Sequence, residues 1–390
     1  MRDDQLGVPA HPGLISQPSI GRTGMKATQC PLVAAVPQLA SYQGYGGIKR
    51  VFQSVRAQWL DQIQIVDATF EAYAAPVLRN FPRGVRAPAE ADIILLPQLT
   101  GAQALGKTGG LPSVVVVHDI GIVDFPGDRI GMDWLTYQSI VRSFWGLRHA
   151  STIITVSHWT RQRLLHYLPQ VANRVHVVPS GVDAAFLQYT SSQSAARAVI
   201  AQMLGHDLRS PLLLYVGTET PRKNIDLLLQ TFQRVKQRYP NAQLLKVGGC
   251  GSPRWRAQTL KQAAQLGLGL ENDLLLIDRV DDAALADIYR AADLFVSASS
   301  YEGFGLPVLE AMAVGTPVAV ANCGAFAEIV GENGWLVDPE PEAFARAIDV
   351  ALSSADHGTR IQTAQRHARA LTWQRTAALY ADLMENACLQ

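Results

Sequence analysis

The chain has 390 residues, of which 48% are hydrophobic and 17% charged. That is enough apolar material for large cores, and it excludes a disordered protein. Lys and Arg number 34 and Asp and Glu 33, a net charge of +1, so the chain lacks the basic field of non-specific nucleic-acid binders and no nucleic-acid partner is expected. At roughly 150 residues per domain, the length predicts two or three domains. The cysteines, Cys30, Cys250, Cys323 and Cys388, are scattered without a Cys-x-x-Cys pair and read as reduced thiols. No apolar run approaches the ~18 residues of a membrane span, and the N-terminus has no signal-peptide pattern. A cytoplasmic protein is expected, with peripheral contact at the inner face of the membrane left open.

In chain order, residues 1–24 are rich in Pro, Gly, Gln and Ser and lack a hydrophobic period. They read as a disordered extension before a natural start at Met25. Short apolar runs at 32–36, 63–67, 93–96, 114–117, 152–156 and 175–178 predict strands, with helices at 47–60, 131–149 and 158–167, the last capped by Ser157. The helix at 131–149 carries Trp134, Leu135, Ile140, Val141, Phe144 and Trp145 beside Arg142, Arg148 and His149. Core packing is the preferred reading, and a membrane-surface helix the second. A helix at 194–204 lies in the connection to a second α/β half. That half restarts with strands at 212–216, 244–247, 274–277, 294–297 and 317–320, and Asn224 is expected to cap a helix stopped by Pro240. Asp281 and Asp282 read as a helix N-cap pair, not a metal motif. The tail at 341–387 reads as helical throughout. Strands alternating with helices predict doubly wound parallel sheets covered on both faces, with a site in the cleft between halves.

The densest signal is Ser299-Ser300-Tyr301-Glu302-Gly303-Phe304-Gly305-Leu306-Pro307-Val308-Leu309-Glu310, directly after a predicted strand. Gly303 and Gly305 permit a sharp turn and a close ligand approach. Pro307 suits a first helical turn and Gly315 its end. The amides of Phe304, Gly305 and Leu306 would then face outward, where a phosphate is stabilised. Glu302 on the loop and Glu310 one turn into the helix bracket this turn. Arg222 and Lys223 precede another helix start and would attract the same anion. His118 sits at the C-terminal end of a strong apolar strand, the end that faces the cleft in a doubly wound sheet, where a structural histidine bonded to a backbone carbonyl is an equally good reading of position alone.

The two glutamates resemble the Glu-x7-Glu signature of the family-4 retaining glycosyltransferases, and the resemblance extends from Met25 over nearly the whole chain. Val216-Gly217-Thr218-Glu219-Thr220-Pro221-Arg222-Lys223-Asn224 is similar to the family's element for the donor diphosphate. Gly46-Gly47, His118-Asp119, Thr155-Val156-Ser157, Pro179-Ser180-Gly181-Val182-Asp183 and Leu336-Val337-Asp338-Pro339 match further elements. Ser180 stands where the family has Asn, and Thr218 where many members carry Arg.

The resemblance implies the α/β GT-B fold: two Rossmann-like doubly wound domains facing a cleft, with a C-terminal helix crossing back. Residues 25–185 would form the acceptor-side domain, 186–370 the donor-binding domain and 371–390 the returning helix. The implied reaction moves a sugar from a nucleoside diphosphate sugar to a hydroxyl of a glycan or lipid-linked acceptor, with retention and without a metal or other cofactor. Glu302, His118 and Lys223 would be catalytic. Gly46, Gly47, Arg222, Lys223, Phe304, Gly305, Leu306 and Glu310 would bind the donor, with Glu310 on the ribose. Val280 joins them as a residue near the nucleotide base. Two other readings are a nucleotide-sugar epimerase of the same fold, for which no additional acid/base spacing is evident, and a non-catalytic nucleotide-sugar-binding subunit, against which the intact Glu302, Glu310 and Lys223 argue.

Overall fold

A computed structural model describes residues 31–42, 47–59, 62–71, 81–354 and 357–390. The predicted extension at 1–24, Gly46 and Cys30 lie outside them. The strands are β1 (Leu32–Pro37), β2 (Ile63–Glu71), β3 (Gly84–Arg86), β4 (Ile93–Leu96), β5 (Ser113–Val117), β6 (Thr152–Thr155), β7 (Val175–Val177), β8 (Leu212–Val216), β9 (Gln243–Val247), β10 (Leu274–Ile277), β11 (Leu294–Ser297), β12 (Val318–Ala321) and β13 (Trp335–Val337). The helices are α1 (Gly47–Trp59), α2 (Gly121–Asp124), α3 (Trp134–Gly146), α4 (His158–Tyr167), α5 (Ala184–Leu187), α6 (Gln193–Leu204), α7 (Ile225–Arg238), α8 (Pro253–Gln265), α9 (Asp282–Ala291), α10 (Leu306–Val314), α11 (Phe326–Val330), α12 (Pro341–Ser353), α13 (His357–Arg369) and α14 (Trp373–Cys388).

These elements build two sheets. The first runs β3-β2-β1-β4-β5-β6-β7 and the second β10-β9-β8-β11-β12-β13. Among the described strand pairs, only β2–β3 is antiparallel. The parallel strands are apolar along their length because helices cover both faces, and β4, β5, β6, β11 and β12 are buried at every position. In its own strand sequence, the second sheet has the 3-2-1-4-5-6 order of a dinucleotide-binding fold. Its strand order reverses between β8 and β11.

Helix α14 returns to the first sheet. Its Trp373, Ala377, Tyr380, Ala381 and Met384 share one core with Val51, Phe52, Val55 and Trp59 of α1. Trp59 Nε1 donates to the Ala377 carbonyl at 3.0 Å. The connection between the sheets passes this helix closely: a Cβ on Gly181 would stand 2.2 Å from the Trp373 nitrogen, so only glycine fits there. This is the two-domain α/β architecture with a returning C-terminal helix that the sequence predicts.

The tail is helical, as expected, in α12, α13 and α14. Two local expectations change. Asn224 precedes α7 in the left-handed conformation (φ 50°) and makes no side-chain cap. Helix α3 starts late, at Asp133, whose side chain accepts from the Thr136 amide. It buries Ser139, Ser143, Phe144 and Gly146, while Trp134 is 69% and Trp145 44% exposed. Gly146 explains the choice of small residues: a Cβ there would meet the backbone of Ala102 at 2.4 Å. Ser157 and Asp281 do cap their helices, accepting from the Thr160 and Ala284 amides. No helix among the described residues is long and apolar enough to cross a membrane.

Candidate active site

Open α/β sheets bind ligands where the strand order reverses. At the reversal between β8 and β11, the loop after β8 supplies Arg222 and Lys223, and the loop after β11 supplies Glu302, Gly303, Phe304 and Gly305. The Ser300 amide donates to the Arg222 carbonyl at 2.7 Å, tying the two loops together. Lys223 Nζ lies 2.5 Å from Glu302 Oε1, and both groups are mostly buried. Gly305 has φ 106°, a conformation that favours glycine, and its carbonyl accepts from Val308 and Leu309 to start α10. The first amides of α10 have no partner inside the helix and concentrate positive potential there. Gly315 ends α10 in the left-handed conformation, as its position predicts.

Residues from the first sheet close over this loop. Gly303 abuts the end of β5 so tightly that an added Cβ would sit 1.9 Å from the His118 carbonyl oxygen. The Gly303 carbonyl accepts from Ser157 Oγ at 2.6 Å and Thr160 Oγ1 at 3.1 Å. Glu328 of α11 accepts from the His158 and Trp159 amides at 2.8 and 2.5 Å, so a carboxylate from the second half satisfies the N-terminus of α4. Tyr301 packs edge-on against Trp159, with ring centroids 4.7 Å apart.

His118 is half-buried, and its Nε2 donates to the Pro97 carbonyl at 3.0 Å. Burial disfavours the imidazolium and lowers its pKa, with Asp119 and the Pro97 bond opposing weakly. The ring is therefore neutral near pH 7, and with Nε2 donating, its Nδ1 is an acceptor. Asp119 serves other groups: it accepts from the Gly121 amide at 2.9 Å and pairs with Arg222 Nη1 at 3.2 Å.

Glu310 is buried in α10. Its Oε2 accepts from the Tyr289 hydroxyl at 2.8 Å, and its Oε1 pairs with Arg50 Nη1 at 2.9 Å. Arg50 belongs to the first turn of α1, on the other sheet, and also holds Asp183 in the connection and Asp282 at the start of α9. Burial alone would depress the Arg50 guanidinium, but Glu310, Asp183 and Asp282 outweigh that and raise its pKa. Burial raises the pKa of Glu310, and Arg50 pulls it back only in part.

The structure thus brings Glu302, Lys223, Arg222, Phe304, Gly305 and Leu306 together at one switch point, with His118 against the same loop. Gly47 begins α1 in the open, with nothing within 4 Å of an added Cβ. Val280 lies in the loop between β10 and α9, packed against the core of the second sheet. Sequence reasoning missed Arg50 and Glu328. An arginine in the first turn of a helix opposes the dipole, and that was the available signal for Arg50. Among the described residues, no group of three or more His, Cys, Asp or Glu side chains could hold a metal.

Comparison with known proteins agrees with this architecture. The family model Glycosyltransferase Family 4 matches residues 49–186, and Glycosyl transferases group 1 matches residues 197–368. The O-antigen chain mannosyltransferase B of Escherichia coli is 31% identical over 274 residues, which cover 67% of each chain. The D-inositol 3-phosphate glycosyltransferase of Xylanimonas cellulosilytica is 33% identical over 220 residues, 55% of this chain and 52% of that one. Against such D-inositol 3-phosphate glycosyltransferases, the chain spans about half the relative's length. Sucrose-phosphate synthase from Thermosynechococcus elongatus superposes with a TM-score of 0.72 at 21% identity, covering 91% of this chain and 98% of that chain. Anabaena HepE in complex with UDP-glucose superposes with a TM-score of 0.71 at 19% identity, covering 91% and 99%. The chain belongs to the family-4 glycosyltransferases and has the GT-B fold.

Proposed function

We propose that the protein transfers a sugar, with retention of anomeric configuration and without a metal, from a nucleoside diphosphate sugar to a hydroxyl of a glycan or lipid-linked acceptor. The observation that carries this reading is the meeting of Lys223, Arg222, Glu302 and the start of α10 at the switch point of a sheet ordered like a dinucleotide-binding fold. Family membership and the nucleotide-sugar complex of a structural neighbour support it.

In this reading the donor diphosphate lies at the start of α10, against the amides of Phe304, Gly305 and Leu306. Lys223 and Arg222 release their carboxylate partners to hold it. As the glycosidic bond breaks, these cations stabilise the charge growing on the leaving phosphate. Glu302, freed from Lys223, holds the sugar hydroxyls while the ring gains positive charge. Glu310 accepts from the ribose hydroxyls, and the backbone near Val280 borders the base. From the other side, neutral His118 and the loop of Gly46 and Gly47 close on the transferred sugar. The leaving phosphate oxygen takes the acceptor proton, so no separate base is required. Residues 25–185 form the acceptor side and 186–370 the donor side. Exposed Ile130, Trp134 and Trp145 on the acceptor side favour a lipid-linked acceptor met at a membrane surface.

The test incubates the protein with UDP-, GDP- and ADP-sugars and lipid or glycan acceptors, with and without EDTA. Nucleoside diphosphate release with an α-linked product from an α-linked donor, unchanged by EDTA, is the expected result. An epimerised donor would identify an epimerase, and binding without any chemistry a subunit. An inverted product or EDTA-sensitive turnover would refute the mechanism.

A further inference from the structure

We infer that Arg50 is a positioning residue for the donor: reaching across from α1, it keeps Glu310 ionised and aimed at the ribose, so that nucleotide affinity in the second half depends on a cation from the first. This rests on the assignment of Glu310 to the ribose.

Glu310 is nine-tenths buried or more, with side-chain exposure of 5%. A carboxylate so placed keeps its charge only if it is paired and hydrogen-bonded. Tyr289 contributes one neutral hydrogen bond. Arg50 is the cation on it, and it too is held: Nε donates to Asp183 Oδ2 at 2.8 Å, the guanidinium stacks 5.3 Å from the Phe186 ring centroid, and Ser54 Oγ of the same helix donates to Asp183 Oδ1 at 3.2 Å. The groups facing Glu310 are Arg50 from α1, Tyr289 and Asp282 from α9, and Asp183 from the connection before α5. From α13, uncharged Ile361 and Gln365 pack at the far end of α10. Without Arg50, Glu310 faces two carboxylates and, among the described residues, no cation. Its carboxyl is then pushed further above the usual carboxylate range and, once protonated, loses the capacity to accept two strong hydrogen bonds from a ribose. A carboxylate has about four acceptor positions. Arg50 and Tyr289 use two, and a vicinal diol can use the others.

The test is calorimetric binding, using whichever of UDP-glucose, GDP-mannose and ADP-glucose the wild-type protein binds most tightly. Wild type, Glu310→Gln, Arg50→Ala, Arg50→Gln and Arg50→Lys are compared from about pH 6 to about pH 9, the span over which a buried glutamate titrates. The diphosphate of a sugar nucleotide does not change charge in that span, so the slope reports the protein. Arg50→Ala and Arg50→Gln should bind about ten- to hundred-fold more weakly at neutral pH, the usual loss for a charge-assisted contact. Their affinity should recover as pH rises, whereas wild type should hold its affinity to lower pH, and Arg50→Lys should fall between. Thermal unfolding of each variant is measured alongside, and if Arg50→Ala does not fold, Arg50→Lys must show the same pH displacement to a smaller degree. Tighter or unchanged binding by the Arg50 variants would overturn the inference, as would a loss of equal size at every pH. Normal binding by Glu310→Gln would instead overturn the ribose assignment on which it rests.

Discussion

Glu219 and Glu310 are both buried carboxylates of the second half, and their surroundings differ in sign. Glu219 lies in the loop after β8, with its side chain buried. It accepts from Lys246 at 2.8 Å and Arg256 at 2.7 Å, and Arg256 also reaches Asp278. Two cations meet two carboxylates, and Lys246 further donates to the Gly248 and Gly249 carbonyls. Burial pushes Glu219 up, but the bonds from Arg256 and Lys246 outweigh it and hold the group below the usual carboxylate range. Glu310 sits in a cluster where one cation, Arg50, meets three carboxylates, and its pKa is raised. A neutralised cluster fixes two loops in place. An under-neutralised one keeps acceptor capacity in reserve, which the ribose contact proposed for Glu310 would use.

The largest effect should come from breaking the balanced cluster. Glu219→Ala leaves Lys246, 2% exposed, without its carboxylate. Removing one partner of a buried pair costs about 3–5 kcal/mol, to be read by urea unfolding. The sign of the pH dependence follows from the lowered pKa. Stability from Glu219 is present above its unfolded value of about 4.3 and is lost as pH falls through the folded value. The variant should therefore lose part of the acid limb of the wild-type stability curve. A stability within experimental error of wild type would show that the cluster does not brace these loops.

Gly303 tests the seam between the halves. Gly303→Ala places a Cβ against the His118 carbonyl, so the loop bearing Glu302 must move. A misplacement of about 1 Å at a reacting centre can cost about 100-fold in rate, while the second sheet's own core is untouched. Turnover near wild type would mean that this seam opens during the reaction cycle.

Much of the fold was legible in the sequence because parallel strands buried on both faces must be apolar at every position, as Ile93 to Leu96 and Val114 to Val117 are. Strands β3 and β13, three residues each, are too short to show a period. Asn224 misled because its side-chain chemistry suits a cap, whereas its backbone is left-handed. The switch-point residues were legible because Gly303, Gly305 and Pro307 impose local geometry. Arg50 was not, since Asp183 lies 133 residues away and nothing local encodes that pairing. Thr218, which supplies no charge beside the loop of Arg222 and Lys223, was visible. It leaves Lys223 and Arg222 as the cations there.

Those two cations should differ. Arg222 is paired with Asp119 of the other half at 3.2 Å, and Lys223 with Glu302 at 2.5 Å. Lys223→Ala should lower turnover by about ten- to hundred-fold, the loss expected for one charge-assisted contact in the transition state. Arg222→Ala should lower it less, because Lys223 stays beside the departing phosphate. Steady-state kinetics on both variants decides this, and equal small effects would move the phosphate site elsewhere.

The smallest effect sharpens the comparison most. Glu310→Gln keeps the shape of the side chain and a hydrogen-bond acceptor for Tyr289, and Arg50 retains Asp183 and Asp282. Because the folded pKa of Glu310 is raised, the folded state binds more protons than the unfolded chain between the two values, so ionisation costs stability as pH rises through that window. Removing the charge should therefore leave stability unchanged or increase it by up to about 1 kcal/mol at neutral pH, as substitutions that relieve a strained functional site commonly do. The gain should vanish in acid, where Glu310 is protonated in wild type as well. The same change at Glu219 should destabilise at neutral pH, with the difference again shrinking in acid. Urea unfolding of Glu219→Gln and Glu310→Gln at neutral and acidic pH gives four values. If both variants lost stability at neutral pH by similar amounts, Glu310 would be a bracing carboxylate like Glu219, and its place in the donor site would have to be given up.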